Sequence, residues 1–154
     1  MRIMDFLSEK NITVDLKAKN KKDAIEELVD LLVGSSGVSD KKKMVQILLE
    51  REELGSTGIG QGIAIPHGKS DTVKELTAAF GLSKNGVPFD ALDGELVYIF
   101  VLLVAPEGTA GAHLKALARI SQLLKDKYIR RKLLSAQNTA EVVKIIQEEE
   151  KAAH

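Results

Sequence analysis

Hydrophobic and polar residues follow two different periods along this chain, and the period predicts the element that each stretch forms. Strict alternation from residue 12 to residue 16 predicts a strand, and residues 3–7 before it fit a short helical turn. From Asn20 to residue 33, apolar residues return every third or fourth position, which predicts a helix capped by Asn20. Gly34 is expected to end this helix, and residues 35–37 to form a loop. The alternating apolar positions of the strand are Ile12, Val14 and Leu16.

A second helix is predicted between two boundary signals. Ser39 or Asp40 can cap its first turn, and Gly55 stops it. Its apolar positions keep a helical spacing, at Met44, Val45, Leu48 and Leu49. Arg51 then falls in the last turn, where a cation also suits the negative end of the helix dipole.

The second half of the chain begins with predicted strands. Residues 76–83 predict one strand, and residues 84–87 predict a turn, because their Asn-Gly pair tolerates positive φ. Residues 89–94 are a further predicted loop. Residues 96–104 are apolar without alternation, as expected of a central strand that is covered on both faces.

Three helical segments are predicted to close the chain. They cover residues 113–125, 129–136 and 139–149. A loop over residues 105–111 precedes them, and the acidic end at residues 148–151 is expected to be solvated and frayed. Because helices interleave with apolar strands, the sequence predicts an α/β fold, a single sandwich domain that spans residues 1–154.

Composition limits the classes of function. The 154 residues suffice for a sizeable core, and the 22 basic residues balance 22 acidic ones, so charge gives no reason to expect a nucleic-acid or membrane-surface partner. The chain has no cysteine, which excludes a thiol nucleophile on it and fits a cytoplasmic location. No signal peptide is apparent, and the longest apolar run, residues 96–105, is too short for a membrane span of about 20 residues.

Residues 51–69 hold the candidate chemistry. Five glycines crowd into this stretch, at positions 55, 58, 60, 62 and 68. Glycine suits a backbone that has positive φ or approaches another group closely. The apolar residues 63–65 lead to Pro66, which fixes its own φ and favours an extended residue before it. His67 is therefore predicted at the end of a short strand-like segment, in a stiffened frame beside a glycine-rich loop.

Three familiar kinds of site fit this stretch poorly. The nucleotide phosphate loop, Gly-x-x-x-x-Gly-Lys-Ser/Thr, has Ile63 where its first glycine belongs, and the dinucleotide pattern counted from Gly58 also meets Ile63. The only histidines are at positions 67, 113 and 154, and no His-Glu-x-x-His occurs, so no metal site is expected. No Gly-x-Ser-x-Gly is present, which argues against a serine hydrolase.

The remaining interpretation is a histidine nucleophile at His67. A neutral imidazole nitrogen can accept a phosphoryl group and pass it on, and such a site needs donors around the phosphoryl oxygens. Arg51 and His113 are candidate catalytic partners of His67, although each also fits a residue without a chemical role. Backbone N–H groups of the loop are further candidate donors. The candidate phosphate-binding positions are Ser56, Thr57, Gly60, Gly62 and Gly68.

The run Gly-Ser-Thr-Gly-Ile-Gly-Gln-Gly-Ile-Ala-Ile-Pro-His-Gly, residues 55–68, closely resembles the active-site signature of one class of phosphotransferase-system (PTS) enzyme IIA. This is the fructose, mannitol and nitrogen-regulatory class. The resemblance covers almost the whole chain, including residues 89–94, 105–108, 113–119 and 131–136. It implies a mixed β-sheet flanked by helices on both faces, with His67 as the phosphorylated histidine. It also implies that His113 is the second active-site histidine and Arg51 the arginine ahead of the glycine loop.

The same resemblance implies partners but leaves the role open. Members of the family take their phosphoryl group from the phosphocarrier HPr or a paralogue, and sugar-transport members give it to a cysteine on a IIB component. Residues 79–84 and 105–108 look like those of fructose-type members, and we take a fructose-type sugar phosphocarrier as the expectation. Residues 55–60 and 66–69 are shared with nitrogen-regulatory members. A regulatory protein that binds targets according to its phosphorylation state is therefore the alternative, and neither role requires a cofactor or direct membrane insertion.

Overall fold

The structure, a computed structural model, describes residues 1–33 and 37–152. Within these ranges the strands are β1 (Leu7–Thr13), β2 (Gly58–Gly60), β3 (Ile63–Ala64), β4 (His67–Lys69), β5 (Thr77–Val87) and β6 (Val97–Ala105). A short 3-10 helix (Ile3–Asp5) precedes β1. The α-helices are α1 (Lys21–Val33), α2 (Lys41–Glu53), α3 (Ala110–Lys125), α4 (Lys127–Leu134) and α5 (Thr139–Ala152).

Strand β6 is the centre of a mixed sheet with the order β1-β5-β6-β3-β2. It pairs with β5 in antiparallel orientation, and with β3 and β4 in parallel orientation. At the edges, β1 runs parallel to β5 and β2 antiparallel to β3. Eight of the nine residues of β6 are buried, which confirms the central strand predicted from its unbroken apolar run.

Each face of the sheet carries its own hydrophobic core. On one face, α1 and α2 pack on the sheet through residues such as Leu28 and Met44, with Phe100 of β6 below them. On the other face, Ile120 of α3 and Ile146 of α5 form a second hydrophobic cluster with the buried sheet residues of that face. Helices on both faces of a mixed sheet confirm the predicted fold class.

The predicted helix starts are confirmed in α1 and α2. The side chain of Asn20 accepts a hydrogen bond from the N–H of Asp23 at 2.9 Å, and Asp40 accepts from the N–H of Lys43 at 3.1 Å. Arg51 lies in the last turn of α2, as expected. The end of α1 predicted at Gly34, and part of the loop predicted over residues 35–37, lie outside the described residues.

The turn predicted at residues 84–87 is wrong, because β5 continues through it to Val87. The pairing of β5 with β6 shifts register between Leu82 and Val87, as at a β-bulge. Gly86 has a φ of +81° there, and its N–H donates to the hydroxyl of Ser83 at 3.1 Å. An Asn-Gly pair signals positive φ, which a bulge uses as readily as a hairpin turn does.

Several other boundaries differ from the sequence prediction. Strand β1 lies earlier than the alternation at residues 12–16 suggested, and Leu16 follows the strand, with its N–H bonded to the carbonyl of Leu82 at 2.9 Å. Helix α3 begins three residues before His113, and α4 two residues before the predicted start. Helix α5 continues to Ala152, and Glu150 is buried rather than solvated.

Candidate active site

His67 opens strand β4 beside the central strand of the sheet. It pairs with Leu103 in parallel register, and the N–H of Leu103 donates to the carbonyl of Pro66 at 2.9 Å. On the other side, the N–H of Ile65 donates to the carbonyl of Thr57 at 3.1 Å. The sequence suggested that His67 ends a strand-like segment, but in the structure it begins strand β4. Hydrogen bonds on both sides hold the backbone just before it.

The imidazole of His67 is held in one tautomer. Its Nδ1 lies 2.7 Å from the carbonyl oxygen of Ile65. Because a carbonyl oxygen only accepts hydrogen bonds, Nδ1 carries the proton, and Nε2 of the neutral ring keeps its lone pair. Burial lowers the pKa of His67, and the charge of Arg51 acts in the same direction, against the opposing effects of the Ile65 bond and Glu52. The ring is thus a neutral base with Nε2 as its nucleophilic atom.

His113 is the second imidazole of the site. It lies in the first turns of α3, is 8% exposed, and its ring centroid is 5.5 Å from that of His67. Burial lowers its pKa most, and together with the neighbouring His67 and Lys69 it brings that pKa to about 4. Among the residues that the structure describes, Nε2 of His113 has no hydrogen-bond partner. A buried polar nitrogen without a partner is costly, so this atom is ready to bind a group placed beside it.

Arg51 reaches the same region from the end of α2. One of its terminal N–H groups donates to the carbonyl of Gly55 at 2.9 Å, which holds the start of the glycine-rich stretch against the helix end. From this position its positive charge lowers the pKa of His67. The structure therefore brings together the three residues predicted as catalytic, His67, His113 and Arg51.

Gly60 and Gly62 lie away from His67, at the tip of the β2–β3 hairpin. Ile63 pairs with Ile99 and His67 with Leu103, four residues further along β6, a separation of about 13 Å in a strand. Gly60 and Gly62 have φ values of +98° and +79°, and these build the turn around Gln61.

Asp93 closes that turn. Its carboxylate accepts from the N–H of Gln61 at 2.9 Å and from the N–H of Glu95 at 3.0 Å. These two hydrogen bonds lower the pKa of Asp93. The structure thus gives Gly60 and Gly62 a role in the hairpin and offers no support for contact with a group on His67.

The other three predicted phosphate-binding residues make contacts within the fold. The hydroxyl of Ser56 donates to the carbonyl of Phe89 at 2.7 Å, and that of Thr57 donates to the carboxylate of Glu52. Gly68 follows His67 directly, and a Cβ there would lie 3.1 Å from Cγ2 of Ile47 in α2. Gly68 therefore allows β4 to pack closely on α2, and its contact with a phosphoryl group stays a prediction.

Sequence reasoning missed two charged features near the site. Lys69, two residues after His67, is an exposed cation whose charge lowers the pKa of His113. Glu52 and Lys21 form an ion pair at 2.9 Å, with side chains that are 3% and 20% exposed. Proximity to Arg51 and His67 in sequence was a usable signal for Glu52 and Lys69. No local pattern signals Lys21, because α1 brings it from a distant part of the chain.

The described residues also limit other chemistries. Within residues 1–33 and 37–152, no group of three or more His, Cys, Asp or Glu side chains is placed to hold a metal ion. In the same ranges, no helix is both long and apolar enough to cross a membrane. What the site does offer is one imidazole lone pair, a second buried imidazole and two nearby cations.

Known proteins share this sequence over nearly its full length. Residues 5–149 match the family described as "Phosphoenolpyruvate-dependent sugar phosphotransferase system, EIIA 2". The chain is 37% identical over 151 residues to the PTS system fructose-specific EIIABC component of Bacillus subtilis, which covers 98% of this chain and 24% of that protein. It thus spans about a quarter of the length of that relative. It is also 36% identical over 146 residues to a nitrogen regulatory protein of Bradyrhizobium diazoefficiens, which covers 95% of each.

A solved structure matches the fold described above. The nitrogen regulatory protein IIA-Ntr from Neisseria meningitidis has a TM-score of 0.86 to this chain at 38% sequence identity. The match covers 94% of this chain and 98% of that one. Sequence and fold therefore point to the same group of proteins, while the relatives divide between sugar-specific and regulatory names.

Proposed function

Because this chain belongs to the EIIA 2 family of the phosphoenolpyruvate-dependent sugar phosphotransferase system, we propose that it is a fructose-type phosphocarrier. In this proposal, Nε2 of His67 accepts a phosphoryl group from phosphorylated HPr. The group then passes to a cysteine of a separate IIB component for sugar uptake, since this chain has no cysteine of its own. Residues 1–154 act as one EIIA domain.

The hydrogen bond from Nδ1 of His67 to Ile65 is the observation that carries this proposal. It fixes the proton on Nδ1, so Nε2 can attack phosphorus without first losing a proton. In the transfer, the Nε2 lone pair forms the new nitrogen–phosphorus bond while the donor's bond to phosphorus breaks and its electron pair returns to the donor. The Ile65 carbonyl also stabilises the positive charge that develops on the ring.

The surroundings of His67 suit a phosphoryl group. The group brings a charge of roughly −1.5 to −2 at neutral pH. Arg51 acts electrostatically on His67, and Lys69 acts on the neighbouring His113, so two cations are already in place. Preorganised charges of this kind lower the barrier because they need not move during the reaction.

His113 supplies a donor that no acceptor among the described residues uses. A phosphoryl oxygen accepts hydrogen bonds, so a neutral His113 with its proton on Nε2 would donate to it. The ring separation of 5.5 Å puts this nitrogen within reach of a group attached to His67. In this role His113 stabilises the transferred group and does not act as a second nucleophile.

A nitrogen-regulatory role is the second candidate, and one observation favours it. The fold matches the nitrogen regulatory protein IIA-Ntr of Neisseria meningitidis with a TM-score of 0.86 at 38% identity, and a second nitrogen regulatory protein is 36% identical to the chain. In that role the same phosphohistidine would change which target proteins bind, rather than feed a sugar permease. The chemistry at His67 is common to both candidates, and only the acceptor differs.

The test begins with incubation of the purified chain with phosphorylated HPr. We expect one acid-labile phosphate per chain, located on His67 by peptide mapping, and none in His67→Ala. Full acid-labile phosphate in His67→Ala would contradict the proposed acceptor. The phosphorylated chain is then mixed with a panel of IIB components from the same organism. Loss of the label to a fructose-type IIB supports sugar transport, and a chain that no IIB dephosphorylates favours the regulatory role.

A further inference from the structure

We infer that Glu52 is a positioning residue, which fixes the imidazole of His67 through a chain of hydrogen bonds. The inference rests on the proposed function of His67, but its main test below does not need phosphoryl transfer. Glu52 follows Arg51 in the last turn of α2, and it acts on His67 through Thr57 and Ile65.

The carboxylate of Glu52 is locked from three directions. Its side chain is only 3% exposed, and a buried carboxylate needs hydrogen bonds and an opposite charge to compensate for lost water. One oxygen accepts from the N–H of Thr57 at 3.1 Å and lies 2.9 Å from Nζ of Lys21, while the other accepts from the Thr57 hydroxyl. Lys21 in turn lies 4.8 Å above the ring of Phe89. The position of Glu52 is therefore defined.

Two further hydrogen bonds connect this carboxylate to the imidazole. The carbonyl of Thr57 accepts from the N–H of Ile65 at 3.1 Å, and the carbonyl of Ile65 accepts from Nδ1 of His67 at 2.7 Å. A shift of Thr57 would move Ile65, and with it the acceptor that selects the tautomer of His67. Glu52 thus accepts from both the backbone and the side chain of Thr57.

A role in positioning His67 explains the buried ion pair of Glu52 and Lys21 better than a contribution to the stability of the fold does. Apolar residues of α2, such as Met44 and Leu48, already pack the helix into the core. A buried ion pair is often no more stabilising than apolar residues of the same size. Orienting partners behind a reactive histidine, by contrast, typically matter for activity because a misplaced reactive atom slows the reaction steeply.

The direct test is the tautomer of His67 in the unphosphorylated protein. Nitrogen-15 NMR of the histidine rings distinguishes a proton on Nδ1 from a proton on Nε2. We expect the Nδ1–H form to dominate in the wild type and a mixture of both forms in Glu52→Ala. Glu53→Ala is the matched control, because Glu53 is the next residue of α2 and is exposed. That variant should keep the wild-type spectrum.

Conservative substitutions separate positioning from general damage. Glu52→Gln keeps an oxygen for the N–H of Thr57 but loses the charge opposite Lys21, so its tautomer ratio should lie between those of the wild type and Glu52→Ala. Should Glu52→Ala fail to fold, Glu52→Gln decides the question through the same spectrum. A wild-type tautomer ratio in every folded Glu52 variant would overturn the inference.

Phosphotransfer rates provide the second readout. With phosphorylated HPr as donor, we expect Glu52→Ala to be slower by up to about 100-fold, and Glu53→Ala to be unchanged. A wild-type rate in Glu52→Ala would overturn the inference. If the wild type takes up no phosphate while Glu52→Ala still changes the tautomer, the proposed function fails and the positioning role stands.

Discussion

At the scale of single residues, two histidines that are chemically alike differ because of their surroundings. His67 donates to a carbonyl and is half-buried, whereas His113 is buried and its Nε2 has no partner among the described residues. Burial lowers the pKa of both rings and so keeps them neutral near pH 7, although the Ile65 bond opposes this effect at His67. One ring therefore offers a lone pair and the other a potential donor, which divides the work of phosphoryl transfer between them.

The first prediction concerns the protonation of His113. We expect its ring resonances to titrate with a pKa of about 4 in the unphosphorylated chain. A phosphoryl group on His67 adds negative charge beside it, so the pKa of His113 should rise on phosphorylation. NMR titration of both states checks this. An equal pKa in the two states would mean that His113 does not face the phosphoryl group.

The lowered pKa also fixes how stability depends on pH. Between the ordinary histidine value of 6.5 and about 4, the unfolded chain binds a proton at this position and the folded chain does not. The contribution of His113 to the free energy of unfolding is therefore present above pH 6.5 and is lost as the pH falls toward 4. Substitution by glutamine should flatten the stability profile in this window, as measured by urea unfolding at several pH values.

The second prediction concerns Arg51. Replacing it by lysine exchanges a planar guanidinium for a point charge and removes the fork that can bind two phosphoryl oxygens. We expect Arg51→Lys to slow transfer from phosphorylated HPr, with an effect mainly on rate, because charge spreads over the oxygens in the transition state. Rapid-quench kinetics measures this, and circular dichroism checks the fold. Lys42→Arg, on an exposed part of the same helix, is the control.

At the scale of elements, the sequence predicted helices α1 to α5 and the long strands β5 and β6, but it predicted neither β2 nor β4 as a strand. It also erred where one local signal serves two structures. The run at residues 84–87 illustrates this, because positive φ at Gly86 belongs to a bulge inside β5 and not to a turn. The glycine-rich stretch illustrates it again. Its glycines suggested a cradle for phosphate, and in the structure the positive φ of Gly60 and Gly62 serves the turn of the β2–β3 hairpin.

The third prediction tests the bulge in β5. A Cβ added at Gly86 would lie 2.9 Å from the ring of Tyr98, in a backbone conformation that side chains rarely adopt. We expect Gly86→Ala to lower the free energy of unfolding by about 1–3 kcal/mol. Gly111→Ala is the contrasting control, since nothing lies within 4 Å and the position is inside α3. It should leave stability unchanged or raise it by up to about 1 kcal/mol. Equal stability of both variants would contradict the strain at Gly86.

At the scale of the whole molecule, the contacts that the sequence could not predict join positions far apart in the chain. Pairing of Lys21 with Glu52 requires the folded arrangement of α1 and α2, and no local period encodes it. The same holds for Glu150, whose carboxylate accepts from the N–H of Ile3 at 2.8 and 3.0 Å and lies 3.6 Å from Arg119. His67 differs from these residues, because the glycines and the proline that indicated its role stand in adjacent positions of the sequence.

The fourth prediction concerns this contact between the two ends of the chain. Glu150→Ala leaves the buried N–H of Ile3 without its acceptor, so we expect a loss of about 1–3 kcal/mol in the free energy of unfolding. Phosphorylation of His67 should be unaffected, because this contact joins Glu150 of α5 to Ile3 and neither residue belongs to the candidate active site. Urea unfolding measures the loss, with the exposed Glu148→Ala as control. If both variants unfold alike, the acidic end is solvated after all.

Nε2 of His113, which has no partner in the described part of the chain, bears on how much energy the phosphohistidine holds. If a phosphoryl oxygen accepts a hydrogen bond from this nitrogen only in the native fold, folding and phosphorylation stabilise each other by the same amount, about 1–3 kcal/mol. The native fold would then lower the group-transfer potential of the phosphohistidine and move its equilibrium with HPr by an equal free energy. We expect the phosphorylated chain to melt above the unphosphorylated one, and this difference to shrink in His113→Ala. If the phosphorylated and unphosphorylated wild type melt at the same temperature, the fold does not change the group-transfer potential of the phosphohistidine. That potential is then determined by the imidazole alone.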